Sequence, residues 1–374
     1  MNRFQIRTAV YYGPDSLQFL NRLAGSVLIV TDAFMAKSDI MRTVIAALSG
    51  STVSLFDRVL PNPTIDVVTD AYGAFLEAKP VALLAVGGGS SIDTAKALRE
   101  IAAQQAYGDL EFIVIPTTSG SGSEMTSYAV ITDSVHQTKG VLVSDDMYAN
   151  VAILDPEMVR TTPPGLTADT GMDALSHAIE AYVSLRHTDF SDAMAEKALH
   201  LLFEYLPITY AEGDNIEARE RVHNAACLAG MAFENAGLGI VHSLSHAIGG
   251  TFSAPHGRLN SLILPTVMEF NAGNLRVTKE PLSPTALRYA QLGRMLGSTT
   301  ASSRNQVLGL IAIIRHLRRD LDMPERITEM GIPLYEFVAA IPDLARAAVA
   351  DRCTPDNPRP VTPTDMEALL RYLL

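Results

Sequence analysis

Residues 81–97 read VALLAVGGGSSIDTAKA, in which an apolar run leads into consecutive glycines and then into a segment with helical spacing. An apolar run of this length is typical of a strand that is buried on both faces of a parallel sheet. Glycines allow close approach of a ligand, and a helix N-terminus offers free N–H groups. The stretch therefore predicts a pyrophosphate cradle. It lacks the GxGxxG pattern, however, and a simple tight turn between strand and helix would look similar.

Apolar runs of the same kind occur on both sides of this stretch, at Ser26–Asp32, Phe112–Ser123 and Asn150–Pro156. The stretch Ile92–Gln105 has helical spacing and lies between two of the runs, which favours a βαβ arrangement. We therefore expect the first part of the chain to be an open α/β domain with a mostly parallel, Rossmann-like sheet.

Polar side chains follow two of these predicted strands. Asp32 ends the first run, where a carboxylate can bind the adenosine ribose hydroxyls and repel a 2′-phosphate, which favours NAD over NADP. A helix N-cap is the alternative role for this residue. Thr117, Thr118 and Thr126 follow another run and can donate hydrogen bonds to a nucleotide, although a plain polar loop would also contain them.

The segment Arg160–Thr167, RTTPPGLT, interrupts the alternation of strands and helices with two prolines and a glycine. Such a cluster is typical of a boundary. Beyond it the apolar residues recur at helical spacing and strand signals disappear. We expect a dinucleotide-binding domain over residues 1–162 and an all-α metal-binding, catalytic domain over residues 163–374. A cleft between two such domains is a common place for a ligand.

Composition narrows the class of protein. The 374 residues carry a net charge of −12, which disfavours nucleic acid as a partner. Two distant cysteines, Cys227 and Cys353, make no disulfide framework and fit a reducing cytoplasm. We find no uncharged apolar run of about 18 residues and expect no membrane span. The alternation at residues 3–8 predicts a strand rather than a signal peptide.

Three of the nine histidines fall within VHSLSHAIGGTFSAPHG, residues 241–257. His242 and His246 are four residues apart and share a helix face, and His256 follows in a turn. Asp173 and His177 form a second pair with the same spacing. One such histidine alone would be a hydrogen-bonded core residue, but several imidazoles in apolar surroundings need a partner. The five groups predict a divalent metal site, and their spacing does not decide which one is not a ligand.

The chain resembles the iron-containing, or group III, alcohol dehydrogenases over nearly its whole length. The resemblance rests on GGGSSIDTAKA, IPTTSGSGSEMTSYAVITD, DTGMDALSHAIEAY and GLGIVHSLSHAIGGTFSAPHG. It is closer to the propanol and ethanol dehydrogenases of bacterial microcompartments, through SDAMAEKALHLLFEYLP, HNAACLAGMAF and the C-terminal NPRPVTPTDMEALLRYLL.

The resemblance implies a set of site residues. The metal ligands would be Asp173, His177, His242 and His256, which leaves His246 near the substrate, either as a catalytic proton relay or as a residue that supports the metal ligands. The nucleotide site would be built from Asp32, Gly88, Gly89, Ser90, Asp93, Thr117, Thr118, Thr126 and Lys139. The cofactors would be NAD(H) and Fe(II). Members of the family differ between iron and zinc, and three histidines with an aspartate do not distinguish these metals.

The resemblance also implies an activity and a setting. The enzyme would interconvert propionaldehyde with 1-propanol or acetaldehyde with ethanol, reducing the aldehyde and so regenerating NAD. It would be a homodimer or larger homo-oligomer in the cytoplasm, or inside a microcompartment beside shell proteins and aldehyde-pathway enzymes.

Other functions stay open at this point. A polyol dehydrogenase of the glycerol type, or a lyase related to dehydroquinate synthases, would keep the fold and change the reaction. A metal-dependent hydrolase would use the same metal ligands but leave the glycine loop and Asp32 unexplained. A non-catalytic component of an assembly would need none of the metal ligands.

Overall fold

The computed structural model describes residues 3–134, 138–275 and 281–374, with Thr138 and Lys139 described by their backbone only. The chain divides into two compact units. The first contains Met1–Thr162 and Gly213–Glu234, and the second contains Pro163–Glu212 and Asn235–Leu374. The segment Gly213–Glu234 therefore lies outside the all-α domain in which the sequence placed it. Helical periodicity identifies a helix but does not say which core the helix joins.

The first unit is built around a six-stranded sheet with the strand order β1-β8-β5-β4-β2-β3. Every pairing in this sheet is parallel, which confirms the predicted fold class. The strands are β1 (Ala9–Tyr12), β2 (Gly25–Asp32), β3 (Ser51–Val59), β4 (Ala82–Gly87), β5 (Glu111–Pro116) and β8 (Val151–Leu154). A separate antiparallel hairpin consists of β6 (Tyr128–Asp133) and β7 (Thr138–Val143).

The first strand lies later in the chain than its sequence pattern predicts. Residues 3–7 alternate between polar and apolar side chains but form no ladder, and pairing with β8 begins at Ala9. Alternation reports which way side chains face in an extended chain, and it cannot report where a partner strand starts and ends.

Helices cover both faces of the sheet. They are α1 (Asp39–Ala47), α2 (Ile65–Ala78) and α3 (Gly89–Gln104). Val27 and Ile29 of β2 pack in a core with α1, whereas Leu28 and Val30 of the same strand pack in a second core with α2 and α3. A strand buried on both faces needs apolar residues at every position, which is why the strands read as continuous apolar runs.

The second unit is helical, and its helices bring together residues distant in sequence. The helix α4 packs against α5 and α8, and α7 packs against α8 and α11. The helices after the sheet are α4 (Pro164–Val183), α5 (Asp189–Ala211), α6 (Ile216–Ala236), α7 (Ile240–Phe252), α8 (His256–Ala272), α9 (Pro284–Met295), α10 (Ser303–Asp320), α11 (Leu334–Ala350) and α12 (Pro363–Arg371). Within the described residues, every helix is too short or too polar to span a bilayer.

Candidate metal centre and coenzyme site

The helix α4 presents the first two predicted metal ligands, Asp173 and His177, on one buried face. Their side chains are 10% and 6% exposed, and His177 Nε2 lies 3.9 Å from Asp173 Oδ1. One nitrogen of His242, on α7, completes a group in which the ligand atoms all lie within 4.8 Å of one another. Three donors from two helices therefore converge in the interior of the second unit.

The protonation of His242 is set by a carboxylate. Its Nδ1 lies 2.6 Å from Glu180 Oε2, and an ionised carboxylate only accepts, so Nδ1 carries the proton whenever Glu180 is ionised; burial raises the pKa of Glu180 to about 7. The other nitrogen, Nε2, then keeps its lone pair and faces Asp173 Oδ1 at 3.9 Å. Burial, followed by the neighbouring imidazoles of His177, His256 and His246, lowers the pKa of His242 well below its usual value. Neutral imidazole is the form that binds a metal.

His256, the fourth predicted ligand, is the first residue of α8. Its Nε2 lies 3.5 Å from Asp173 Oδ1, and its Nδ1 lies 2.9 Å from the hydroxyl oxygen of Ser245. The next residue, Gly257, allows this approach, because a Cβ there would lie 2.0 Å from the backbone oxygen of Asp169 on α4. The structure thus brings all four predicted ligands together.

Asn260 shows where these ligand atoms converge. Its Nδ2 lies 2.7 Å from Asp173 Oδ1 and 3.1 Å from each Nε2 of His242 and His256. An amide nitrogen has two hydrogens, so it cannot donate to the carboxylate oxygen and to both imidazole nitrogens at once. The ion pairs described for Asp173 and Glu180 are with histidines rather than with lysine or arginine. An excess of buried lone pairs and negative charge fits a divalent cation.

His246 lies beside this group and has a different carboxylate partner. Its Nδ1 is 2.9 Å from Asp351 Oδ2, and its side chain is 35% exposed. Burial would raise the pKa of Asp351, but hydrogen bonds from His246 and Cys353 hold that pKa at about 2. The ring of His246 stacks on that of His256 with centroids 5.3 Å apart. An imidazole whose Nδ1 is held by a carboxylate can exchange a proton at Nε2.

The glycine stretch that the sequence predicts as a pyrophosphate cradle lies between β4 and α3. The helix α3 begins after Gly88, and no side chain caps its N-terminus. Gly87 ends β4 with φ +153°, and a Cβ there would lie 2.5 Å from the hydroxyl oxygen of Ser91, so the turn requires glycine. A Cβ on Gly88 would lie 3.3 Å from Thr118, and one on Gly89 would lie 3.4 Å from Ser121. A glycine-lined helix N-terminus without a side-chain cap fits a phosphate group.

The other predicted coenzyme residues are distributed among several roles. Asp32 Oδ1 accepts hydrogen bonds from the backbone N–H groups of Phe34 and Met35, each at 2.9 Å, and so holds a turn after β2, whereas Ser38 is the N-cap of α1. Thr117 is buried and donates its backbone N–H to Gly87, and the backbone oxygen of Ser90 accepts from Thr94. The side chain of Lys139 lies outside the described residues.

Asp93 and Thr126 join an internal network around the buried Lys96. The Nζ of Lys96 donates to Thr126 at 2.7 Å and to Ser123 at 2.9 Å, and Ser123 in turn donates to Asp93 at 2.8 Å. Burial lowers the pKa of Lys96 to about 8, although the charge of Asp93 opposes the shift. This network fixes the loop after β5 against α3.

Sequence reasoning missed several residues of these two sites: Gly87, Lys96, Glu180, Asn260 and Asp351. One of them carried a usable signal. Glu180 follows His177 by three positions and Asp173 by seven, so all three share one face of a helix. The partners Asn260 and Asp351 come from α8 and from the end of α11, and no local spacing connects them to the histidines.

Comparisons with known proteins bear on both units. The family model "Iron-containing alcohol dehydrogenase" matches residues 7–156, and the model "Fe-containing alcohol dehydrogenase family, C-terminal" matches residues 167–374. The chain is 40% identical to the 1-propanol dehydrogenase PduQ of Salmonella typhimurium, with 100% of both chains covered. It is 36% identical to an NADPH-dependent butanol dehydrogenase of Clostridium saccharobutylicum, over 99% of this chain and 97% of that one. A solved 1,3-propanediol oxidoreductase superposes over 100% of both chains with a TM-score of 0.91 at 31% identity.

Proposed function

This chain belongs to the iron-containing alcohol dehydrogenase family, and we propose that it works as a reductase of short-chain aldehydes. Enzymes of this family interconvert alcohols and aldehydes with NAD(H) and iron, and so does this chain.

One observation carries the proposed metal centre. Ligand atoms of Asp173, His177, His242 and His256 converge where a single amide of Asn260 contacts one carboxylate oxygen and two imidazole nitrogens. We assign these four residues as the iron ligands, with zinc as the competing metal because affinity trends favour zinc over iron(II). When bound, iron supplies a Lewis acid for the substrate oxygen and NADH supplies the hydride.

His246 supplies the proton in this proposal. Asp351 accepts from its Nδ1 at 2.9 Å and fixes the ring, so the protonated ring gives the proton on Nε2 to the substrate oxygen during reduction. In the direction of oxidation the same atom removes the hydroxyl proton. Partial exposure of the side chain allows the ring to exchange its proton with water between turnovers.

The coenzyme is assigned to the first unit. The free N–H groups at the start of α3, reached through Gly88 and Gly89, bind the pyrophosphate, and the side chain of Thr118 lies close enough to take part. The carboxylate of Asp32 at the end of β2 selects NAD over NADP. Ser90, Asp93, Thr117, Thr126 and Lys139 stay predictions as coenzyme residues, and the inward hydrogen bonds of Asp93 and Thr126 favour a supporting role.

The proposed substrates are propionaldehyde and acetaldehyde, which form 1-propanol and ethanol and regenerate NAD. The full-length similarity to a 1-propanol dehydrogenase supports a substrate with a short carbon chain. We further propose that the enzyme is a homo-oligomer in the cytoplasm, with association to a microcompartment shell or to aldehyde-pathway enzymes as a finer proposal.

The test is NADH oxidation with acetaldehyde and propionaldehyde, measured on protein stripped by a chelator. Iron(II), added without oxygen, and zinc are each returned to separate samples, and dihydroxyacetone serves as the polyol-pathway substrate. We expect aldehyde-dependent oxidation that returns with metal and is faster with the aldehydes than with dihydroxyacetone.

The opposite results lead to the alternatives. A clear preference for dihydroxyacetone would replace the short-chain aldehydes with a polyol substrate. No NADH oxidation with any substrate or metal would remove the reductase proposal altogether. Efficient alcohol oxidation at neutral pH with negligible aldehyde reduction would reverse the proposed direction.

A further inference from the structure

Glu180 lies on the same face of α4 as the two ligands of that helix, one turn beyond His177. Its side chain is 5% exposed, and the residue takes no part in the chemistry proposed above. A buried carboxylate needs several donors to offset the loss of its hydration. The identity of those donors indicates its role.

The donors come from the beginning of α7. Glu180 Oε1 accepts from the backbone N–H of Val241 at 2.7 Å, and Oε2 accepts from Nδ1 of His242 at 2.6 Å. The backbone N–H of His242 also points to Oε2, at 3.4 Å. One carboxylate therefore holds both the first turn of α7 and the imidazole that this turn carries.

Two neighbours shape the place that this carboxylate occupies. A Cβ on Gly239 would lie 2.7 Å from Glu180 Oε1 and 2.9 Å from Asn357 Oδ1, so glycine is needed for the approach of both side chains. Asn357 accepts from the backbone N–H of Ile240 at 3.4 Å. It therefore contacts the same helix end as Glu180 while the described contacts of its side chain do not include His242.

We infer that Glu180 is a positioning residue for the metal: it fixes the His242 ring with Nε2 unprotonated and makes that nitrogen a stronger donor. A carboxylate that accepts from one ring nitrogen increases electron density on the other, and such partners of metal ligands typically change metal affinity about 10- to 100-fold. The inference rests on the metal centre in the proposed function.

A purely structural role for Glu180 makes a different prediction. If it only caps α7, then its loss would lower stability and leave the metal affinity of the folded protein unchanged. Asn357→Ala is the matched control, because it removes a contact at the same helix end and spares His242. Glu180→Gln removes the negative charge and leaves one oxygen for two donors, so Nδ1 of His242 and the backbone N–H of Val241 can no longer both be satisfied.

The experiment is zinc binding to the metal-free protein, measured by competition with a chromophoric chelator and without turnover. Thermal unfolding of the metal-free variants is followed in parallel. We expect Glu180→Gln to bind zinc about 10- to 100-fold more weakly than wild type. Asn357→Ala should bind within about threefold of wild type even if its Tm falls.

Equal zinc affinity in Glu180→Gln and wild type would overturn the inference, as would an equal loss in Asn357→Ala. In both cases a wild-type site that depends on Asp173 would leave the proposed function intact. A wild type without zinc affinity would overturn the metal centre and this inference together.

A measurement on the unaltered protein decides the question if Glu180→Gln does not fold. Metal-free protein labelled with ¹⁵N-histidine should show a His242 ring with a protonated Nδ1 and an unprotonated Nε2. A His242 ring with its proton on Nε2 would exclude the proposed role of Glu180.

Discussion

The metal centre and the coenzyme loop are built in opposite ways. At the metal centre, side chains from α4, α7 and α8 point at one place, and the Nδ1 atoms of His242 and His256 contact the side chains of Glu180 and Ser245. At the coenzyme loop the useful groups are backbone N–H groups at the start of α3, while the nearby Asp93 and Thr126 bond inward to Ser123 and Lys96. Side-chain chemistry defines the first site, and backbone shape defines the second.

This difference predicts where substitutions act. Removal of one ligand atom should have a large effect at the metal centre. At the coenzyme loop, loss of a polar side chain should have a small effect, whereas a change in backbone shape should have a larger one.

The largest effect is expected from Asp173→Asn. The variant loses the only carboxylate among the four proposed ligands, so bound metal and aldehyde reduction should both be lost, with kcat/KM down about 1000-fold or more. Metal content and steady-state rates measure this. Asp169→Asn on the same helix is the control and should retain metal. Normal metal content in Asp173→Asn would contradict the claim that individual side-chain ligands define the metal centre.

Low pH should reduce the folding stability of the first unit even when the protein contains no metal. Burial lowers the pKa of His223 to about 4, against 6.5 in an exposed histidine. The unfolded chain therefore binds a proton below about pH 6.5 that the folded chain does not, so stability is lost as the pH falls from 6.5 towards 4. Relative to His223→Asn, wild type should lose about 3 kcal/mol more over this window, measured by urea unfolding of metal-free protein. Parallel pH curves for the two proteins would contradict this.

Asp351→Asn should separate the proton relay from metal binding. The amide still accepts from Nδ1 of His246 but lacks the charge that stabilises a protonated ring, so kcat should fall about 10- to 100-fold and the pH–rate profile should shift. Zinc affinity should stay that of wild type, in contrast to Glu180→Gln. Asp343→Asn, an exposed position on α11, is the control. Loss of zinc affinity in Asp351→Asn would mean that both carboxylates support the metal.

Backbone shape can be compared with side-chain polarity at the coenzyme loop. Gly87→Ala introduces a Cβ at φ +153° and 2.5 Å from Ser91, and we expect the Kd for NADH to rise about tenfold. Ser90→Ala, in the first turn of α3, should change the Kd for NADH by less than about twofold. Fluorescence titration with NADH gives both values. A larger effect of Ser90→Ala would show that side chains matter at this site too.

The smallest effect concerns coenzyme choice. Asp32→Asn keeps an oxygen to accept from Phe34 and Met35 and removes only the charge, so the loop should be unchanged. The ratio of kcat/KM for NADPH to that for NADH should rise about tenfold, because a 2′-phosphate is no longer repelled. If the NADPH-to-NADH ratio of kcat/KM does not change, then Asp32 only holds the turn that follows β2.

The contrast between the sites also explains how far sequence could predict this molecule. The sheet followed from apolar runs such as Ala82–Gly87, because a doubly buried strand needs apolar residues throughout. Asp173 with His177, and His242 with His246, were recognisable because helical spacing places them on one face. Glu180 lies on the same helix face as Asp173 and His177 but was missed, since a glutamate on a helix is usually a solvated residue.

The rest depended on tertiary packing. Asp351 reaches His246 from a helix 105 positions later in the chain, and no local pattern encodes that contact. Asp93 and Thr126 have the residue types of nucleotide ligands, and only the position of the buried Lys96 shows that they bond inward. The sequence predicted that α6 belongs to the helical domain, but most of this helix lies in the first unit. Helical periodicity carries no information about which elements a helix packs against.

The strand order of the sheet has a consequence for how the protein is made. Ala9 begins the first strand to leave the ribosome, but its partner Val151 belongs to the last strand of that sheet. At typical rates of about 5–20 residues per second, β1 stays unpaired for roughly 10 to 30 seconds. During that time the other strands can pair among themselves, while β1 presents an open backbone to other chains. Dense polysomes and the absence of nascent-chain chaperones should therefore reduce the yield of this protein before they affect the activity of the molecules that fold.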